Sequence, residues 1–184
     1  MKRAFDLFFS AIGLLVALPV LGLLVLAIRL GSPGAAIFRQ TRIGRNGKPF
    51  VCLKLRTMFT GVPELPTHMS SADHVTPIGR GLRKWKLDEL PQLWNVLVGD
   101  MSFVGPRPCL PSQTELIEER RKRGVLALRP GITGLAQIRG VDMSDPVALA
   151  ELDAAYLRKA GLRQDIGILI GTFSSNALAD RTDR

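Results

Sequence analysis

The sequence predicts an α+β fold, mainly helical with a short β-hairpin, joined to a membrane by an N-terminal re-entrant helix-break-helix and by amphipathic interfacial helices. Three observations predict it. Residues 7–28, LFFSAIGLLVALPVLGLLVLAI, carry no charge, and the run is long enough for a helix of bilayer length. Asn46-Gly47 stands between flanks of alternating apolar residues, a hairpin signal. Further on, cap residues, prolines and glycines mark helix ends. The expected division is a membrane segment over residues 1–30 and one cytoplasm-facing domain over 31–184.

Three readings of the apolar run compete. Met1-Lys2-Arg3 could open a signal peptide, but the run is long for an h-region and no small-residue cleavage site follows. A straight spanning helix is the second reading. Pro19, near the middle, opposes it, because proline lacks an N–H and clashes with the preceding turn. Charge placement opposes it too, since Lys2 and Arg3 precede the run while Arg29, Arg39, Arg42, Arg45 and Lys48 follow it. Positive residues prefer the cytoplasmic side. If both flanks obey, the segment dips into one leaflet, breaks at Pro19 and returns.

After the turn signals Gly31-Ser32-Pro33-Gly34, residues 35–43 and 49–57 are predicted as paired strands. They carry Arg39, Arg42, Lys54 and Arg56, for which a basic face lying on anionic head groups is an equally good reading. Residues 59–77, polar and aperiodic, read as a loop able to serve as a lid. His68 and His74 lie in it without a companion at ligand spacing and are expected to be surface histidines. Residues 79–86, GRGLRKWK, read as a basic turn whose Trp85 suits a membrane interface.

Asp88 is predicted to N-cap a helix with Pro91 in its first turn, running to about Val98 and stopped by Gly99. Residues 112–124 form a charged helix ending at Gly124. RPGITGLAQIRG, from Arg129 to Gly140, is turn-rich with an extended centre. Asp145-Pro146 opens another helix that closes near Gly161. Residues 164–178 carry Ile166, Leu169, Ile170, Phe173 and Leu178 at helical spacing, a stripe suited to core or membrane.

Lysine and arginine number 25 against 16 aspartates and glutamates, a net charge of +9. The partners implied are anionic: nucleic acid, an acidic membrane surface or phosphorylated small molecules. Nucleic acid is the weakest of these, because few aromatics lie among the basic clusters and no binding motif appears. Cys52 and Cys109 form neither a disulfide framework nor a zinc spacing, which fits a reduced compartment.

Chemistry concentrates in residues 86–108, KLDELPQLWNVLVGDMSFVGPRP. At a helix start the dipole would keep Asp88 ionised and nucleophilic. Arg83, Lys84 and Lys86 make the same end a phosphate site. A carboxylate beside a phosphate is sensible when a divalent cation is shared between them, and Glu89 is the available ligand for Mg²⁺. Attack on phosphorus by the carboxylate would give an acyl-phosphate. Arg107, between Pro106 and Pro108, is pre-aimed at an anion, and Arg129 before Pro130-Gly131 is a second clamp. Spacing by itself favours a plainer reading, with Asp88 a cap, Glu89 a dipole partner and the arginines on lipid. That reading is a membrane-anchored basic module that binds anionic lipid without catalysis.

The blocks FRQTRIGRNGKPF, KLRTM, KLDELPQLWNVLVGDMSFVGPRP and RPGITGLAQIRG, in this order, resemble the signatures of the bacterial sugar transferases, the small monotopic phosphoglycosyl transferases. The resemblance implies transfer of a phospho-sugar from a UDP-sugar to undecaprenyl phosphate at the cytoplasmic face of the bacterial inner membrane, releasing UMP. It implies that residues 31–184 form the catalytic domain. It assigns Asp88 as the nucleophile and Glu89 as its partner on Mg²⁺, both as metal ligands, and points to Arg83, Arg107 and Arg129 as phosphate contacts. Lys54 and Arg56 would lie near the nucleotide or lipid phosphate. Pro19 matches the family's helix-breaking proline, with Leu18 where a serine often precedes it. Trp85 and Lys86 stand where smaller residues are common.

Overall fold

The computed structural model describes residues 1–61 and 72–174. It is mainly helical, and its short strands pair in two small sheets. The N-terminal helix α1 (Lys2–Gly31) is one continuous helix through Pro19, where the sequence predicts a break. A helix carries an internal proline at the cost of one backbone hydrogen bond and a ring clash with the preceding turn, which bends more readily than it interrupts. It is the one helix among the described residues that is long and apolar enough to cross a membrane. Leu15, Val16 and Leu23 are about 70% exposed on it.

Both ends of α1 are tied to the rest of the protein. Near its start, Lys2 Nζ donates to the Val104 carbonyl at 3.0 Å and pairs with Asp165 at 2.5 Å. Arg3 donates to the Val96 and Leu97 carbonyls. The Asp6 carboxylate accepts from Ser102 Oγ and the Phe103 N–H at 3.1 and 3.2 Å. At the far end Ile28 is buried with Ala36, Leu55 and Leu82.

Arg56 secures that far end. Its guanidinium donates to the carbonyls of Pro33 at 2.5 Å and Ser32 at 2.8 Å, and to Ser32 Oγ at 2.8 Å. These acceptors belong to the C-cap Ser32 and to the residue after it, just past the end of α1. The geometry gives Arg56 a structural role, where the sequence suggests a phosphate contact. Arg56→Ala is expected to cost about 3 kcal/mol, the worth of two or three charge-assisted bonds, read as a lower unfolding temperature in detergent. Unchanged affinity for UDP in that variant separates the structural role from a ligand-binding one.

Strands β1 (Ile37–Ile43) and β2 (Pro49–Leu55) form the expected antiparallel hairpin, with Ile43 opposite Pro49 and Ile37 opposite Leu55. Asn46 and Gly47 take positive φ at its tip. Beyond the hairpin, Met58 bridges Val75 and closes the base of the following loop. Residues 62–71 of that loop, with His68, lie outside the described residues, and His74 is exposed.

The basic stretch at 79–86 is not a turn but the end of helix α2 (Pro77–Lys84), whose N-cap Thr76 accepts from the Gly79 N–H at 2.9 Å. Trp85 follows it and is exposed. A 3₁₀ turn, Leu87–Glu89, then leads into α3 (Gln92–Val98), which stops at Gly99 with φ +99.

Strand β3 (Ser102–Val104) pairs in parallel with β4 (Gly131–Thr133), a pairing absent from the sequence reading. Gly131 permits it, since a Cβ there would meet the Gly105 nitrogen at 2.1 Å. Helices α4 (Thr114–Lys122), α5 (Leu135–Ile138) and α6 (Pro146–Arg158) enclose Cys109, Leu116, Leu149 and Ala150. Asp145 caps α6 as expected, accepting from the Ala148 N–H at 2.9 Å. In α7 (Leu162–Ser174) Ile168 is buried against Val104 and Tyr156, while Ile166 and Ile170 are exposed. Leu178 of the predicted stripe lies outside the described residues.

Candidate active site

The hairpin supplies one wall of a cleft. In a strand, alternate side chains share a face, and the register sets Gln40 opposite Cys52, with Lys54 and Arg42 on the same face. Arg42, Cys52 and Lys54 line the cleft with Glu89, Gln92, Arg107, Pro108, Gly131 and Ile132. Arg42 is a cleft residue for which the sequence reading held a lipid-facing basic surface equally good. Strand parity carries the signal for it, because a hairpin closed at Asn46-Gly47 puts Arg42 and Lys54 on one side.

Lys54 Nζ lies 2.8 Å from Glu89 Oε1, and Arg107 Nη2 lies 3.5 Å from the same oxygen. Burial pushes the Glu89 carboxyl upward, but Lys54 and Arg107 outweigh it and hold it at about 2. Glu89 is therefore an anion at any working pH. Arg42 donates from Nε to Gln40 Oε1 at 2.9 Å and from Nη1 to the Pro108 carbonyl at 3.0 Å. Three cations face one carboxylate in the cleft wall, an excess that suits an anionic ligand with two negative charges.

Asp88 is next to Glu89 in sequence and is 8% exposed. It sits inside the 3₁₀ turn, and α3 begins after Pro91, so it is not the N-cap that the sequence predicts. A cap residue needs extended backbone ahead of the helix, and here the chain is already turning. The expected dipole stabilisation is replaced by the opposite influence: burial pushes Asp88 up to about 6, with Glu89 adding to the rise and Lys54, Arg83 and Arg107 opposing it. It stays mostly ionised at pH 7. A buried, partly desolvated anion is a better nucleophile than a solvated one.

The structure thus brings Asp88, Glu89, Lys54 and Arg107 together. Arg83 joins from α2, with its Nε donating to Thr57 Oγ1 at 3.0 Å. Arg56 is committed to α1. Arg129 is elsewhere: its Nε donates to the Gly99 carbonyl at 2.8 Å, at the C-terminal end of α3. Asp88 and Glu89 precede the other end of that helix, so the predicted phosphate contact becomes a helix-end contact.

The carboxylate donors fit Mg²⁺. Two adjacent carboxylates offer hard oxygen ligands, and one of them is held firmly ionised. Among the described residues no group of three or more His, Cys, Asp or Glu side chains forms a metal cage. Mg²⁺ ordinarily takes one or two carboxylates and completes its shell with water and substrate phosphate.

The site is thus a buried carboxylate beside a cation-lined cleft, on a domain packed against a helix long and apolar enough to cross a membrane. The chain belongs to the bacterial sugar transferase family, whose profile matches residues 1–178. A Caulobacter vibrioides protein named UDP-glucose:undecaprenyl-phosphate glucose-1-phosphate transferase is 40% identical over 97% of this chain and 70% of its own length. The exopolysaccharide production protein PSS of Rhizobium leguminosarum is 40% identical over 95% of this chain and 94% of its own. The undecaprenyl-phosphate galactose phosphotransferase of Salmonella typhimurium is 36% identical, and the chain spans 39% of its length.

Proposed function

We propose that the protein transfers a sugar-1-phosphate from a UDP-sugar to undecaprenyl phosphate through a covalent aspartyl phospho-sugar. The observation that carries this reading is the buried Asp88 carboxylate beside the Lys54–Glu89–Arg107 cluster. An Asp88 oxygen attacks the sugar-bearing phosphorus, the bond to the bridging oxygen breaks, and UMP leaves with that oxygen. An oxygen of the polyprenyl phosphate then attacks the same phosphorus and releases the Asp88 carboxylate. The products are UMP and undecaprenyl-diphospho-sugar.

Lys54, Arg107 and Arg42 supply fixed positive charge where negative charge is handed between oxygens. Glu89 and Asp88 would hold Mg²⁺, which when bound neutralises charge on the substrate phosphates. A covalent step lets a soluble donor and a lipid acceptor use one cleft in turn.

The membrane segment is read as monotopic, entering and leaving on the cytoplasmic side of the inner membrane. Two facts support this. A helix spanning the roughly 30 Å hydrocarbon core places its ends on opposite faces, yet Lys2, Arg3 and Asp6 at one end and Ile28 to Pro33 at the other all bind the same body. Basic residues also flank both ends. A bend at Pro19 would let the apolar middle dip while both ends remain docked. The domain over 31–184 is then held with its cleft at the height of the lipid phosphate.

The test is intact-protein mass spectrometry of the detergent-solubilised protein with Mg²⁺ and a panel of UDP-sugars, without lipid acceptor. A gain of one phospho-sugar supports the covalent route. UMP release only on adding polyprenyl phosphate, with no adduct, would point to direct transfer in a ternary complex.

The rate should also follow Asp88 ionisation. With its carboxyl at about 6, kcat/KM is expected to fall about tenfold per pH unit below 6 and to level off above pH 7. Mg²⁺ held on the same carboxylate should move that inflection lower, and an acid limb that does not shift with Mg²⁺ concentration would remove Asp88 as the titrating nucleophile.

A further inference from the structure

We infer that the buried Arg120–Asp153 pair is a positioning device for Arg107, holding its guanidinium aimed into the cleft. The inference rests on the reading that Arg107 binds substrate phosphate. The segment around Arg107 is gripped through consecutive carbonyls. The Pro106 carbonyl accepts from the Gly131 N–H at 2.9 Å, and the Cys109 carbonyl from the Ile43 N–H at 2.9 Å. Between them, the Pro108 carbonyl accepts from Arg42 Nη1 at 3.0 Å, and the Arg107 carbonyl accepts from Arg120 Nη1 at 2.9 Å.

Arg120 comes from α4, outside the cleft, and is itself fixed from α6. Its Nε donates to Asp153 Oδ2 at 2.9 Å, and its Nη2 lies 2.8 Å from the same oxygen. Both side chains are 3% exposed. A buried ion pair is weak evidence for stability, because apolar residues of similar volume often serve as well. What apolar packing cannot supply is a rigid donor to the Arg107 carbonyl. Pro106 and Pro108 restrict φ on either side of Arg107, and Arg120 fixes the carbonyl between them. The planar guanidinium fork is suited to this double contact, since one edge meets the carboxylate while another nitrogen reaches the carbonyl. Lysine offers no such fork.

The experiment is a double-mutant cycle on UDP affinity, measured by titration calorimetry of the detergent-solubilised full chain. Arg107→Ala is expected to weaken UDP binding about tenfold or more, and Arg120→Lys about tenfold, the worth of one charge-assisted hydrogen bond. The double variant should bind no more weakly than Arg107→Ala alone, because Arg120 acts through Arg107. Because Arg107 also faces the charge passed between oxygens, Arg120→Lys should lower kcat as well as raise KM for the donor, and by no more than Arg107→Ala does. Where circular dichroism shows that Arg120→Lys has not folded, Asp153→Asn takes its place in the same cycle.

Full additivity of the two changes, or unaltered UDP affinity in Arg120→Lys, would overturn the inference. UDP affinity unaltered by Arg107→Ala would overturn instead the phosphate-clamp reading beneath it.

Discussion

Asp88→Asn is expected to lower turnover by at least about a thousandfold, because on the proposed route it removes the carboxylate that forms the covalent bond. The mass gain with UDP-sugar should vanish at the same time. Two further readouts keep this loss from being mistaken for misfolding. Affinity for UDP should hold or increase, since a negative charge leaves the neighbourhood of the phosphates. Stability at pH 7 should also hold or rise. Burial lifts Asp88 from 3.8 to about 6, so between those values the folded chain binds more protons than the unfolded one. Stability from this group therefore declines as pH rises through that window, by about 3 kcal/mol over two units. A neutral amide at this position escapes that cost. A lipid-binding module without chemistry would also bind as well or better after Asp88→Asn, but it would have no UMP release to lose. Wild-type turnover in Asp88→Asn would sink the nucleophile assignment.

The opposed shifts of the two adjacent carboxyls explain why such a costly residue belongs there. Glu89 is pulled down by Lys54 and Arg107 at contact distance, whereas Asp88 receives the same charges at longer range and with less effect than its desolvation. One carboxylate is permanently ionised and fixed. The other is an anion held at some cost in free energy, as a nucleophile should be. The stability that Asp88 gives up and the reactivity proposed for it would have the same cause.

Features decided locally were legible in the sequence. Asn46-Gly47 set the hairpin and its register, Gly99 ended α3 in the left-handed conformation, and Asp145-Pro146 opened α6. Thr76-Pro77 carried the same kind of signal for α2, but Gly79 and Gly81 made the stretch read as a turn. Gly79 is in fact required by packing, since a Cβ there would meet the Thr57 carbonyl oxygen at 2.1 Å. The pairing of β3 with β4 joins short strands across the whole of α4 and has no local signature. The partners that Arg56 and Arg129 meet in the structure were not legible for a related reason. Beside Pro or in a basic strand, each resembles a phosphate ligand, but their acceptors are main-chain carbonyls at distant helix ends. Residue type identifies a donor, and only the fold identifies what it meets.

Glu89→Gln should produce the second large loss, on the order of a hundredfold or more in kcat, for a reason separable from that of Asp88→Asn. The substitution keeps the side chain's shape and an acceptor for Lys54 but removes the charge that faces Lys54 and Arg107. The cleft wall becomes more positive, so UDP measured without Mg²⁺ should bind as tightly as to wild type or more tightly. Turnover should fall nevertheless, because a hard anionic ligand for the cation has gone, and the Mg²⁺ concentration needed for half-maximal rate should rise. A third signature is in the pH profile. Glu89 is one of the charges that raise Asp88, so its neutralisation should move the inflection of kcat/KM to a value below about 6. Lower rate, tighter metal-free UDP binding and an acid-shifted profile together would define Glu89 as the charge partner of the nucleophile. A variant with wild-type rate and unchanged Mg²⁺ response would reduce Glu89 to a structural counter-ion for Lys54, and the metal would have to be held by Asp88 and substrate alone.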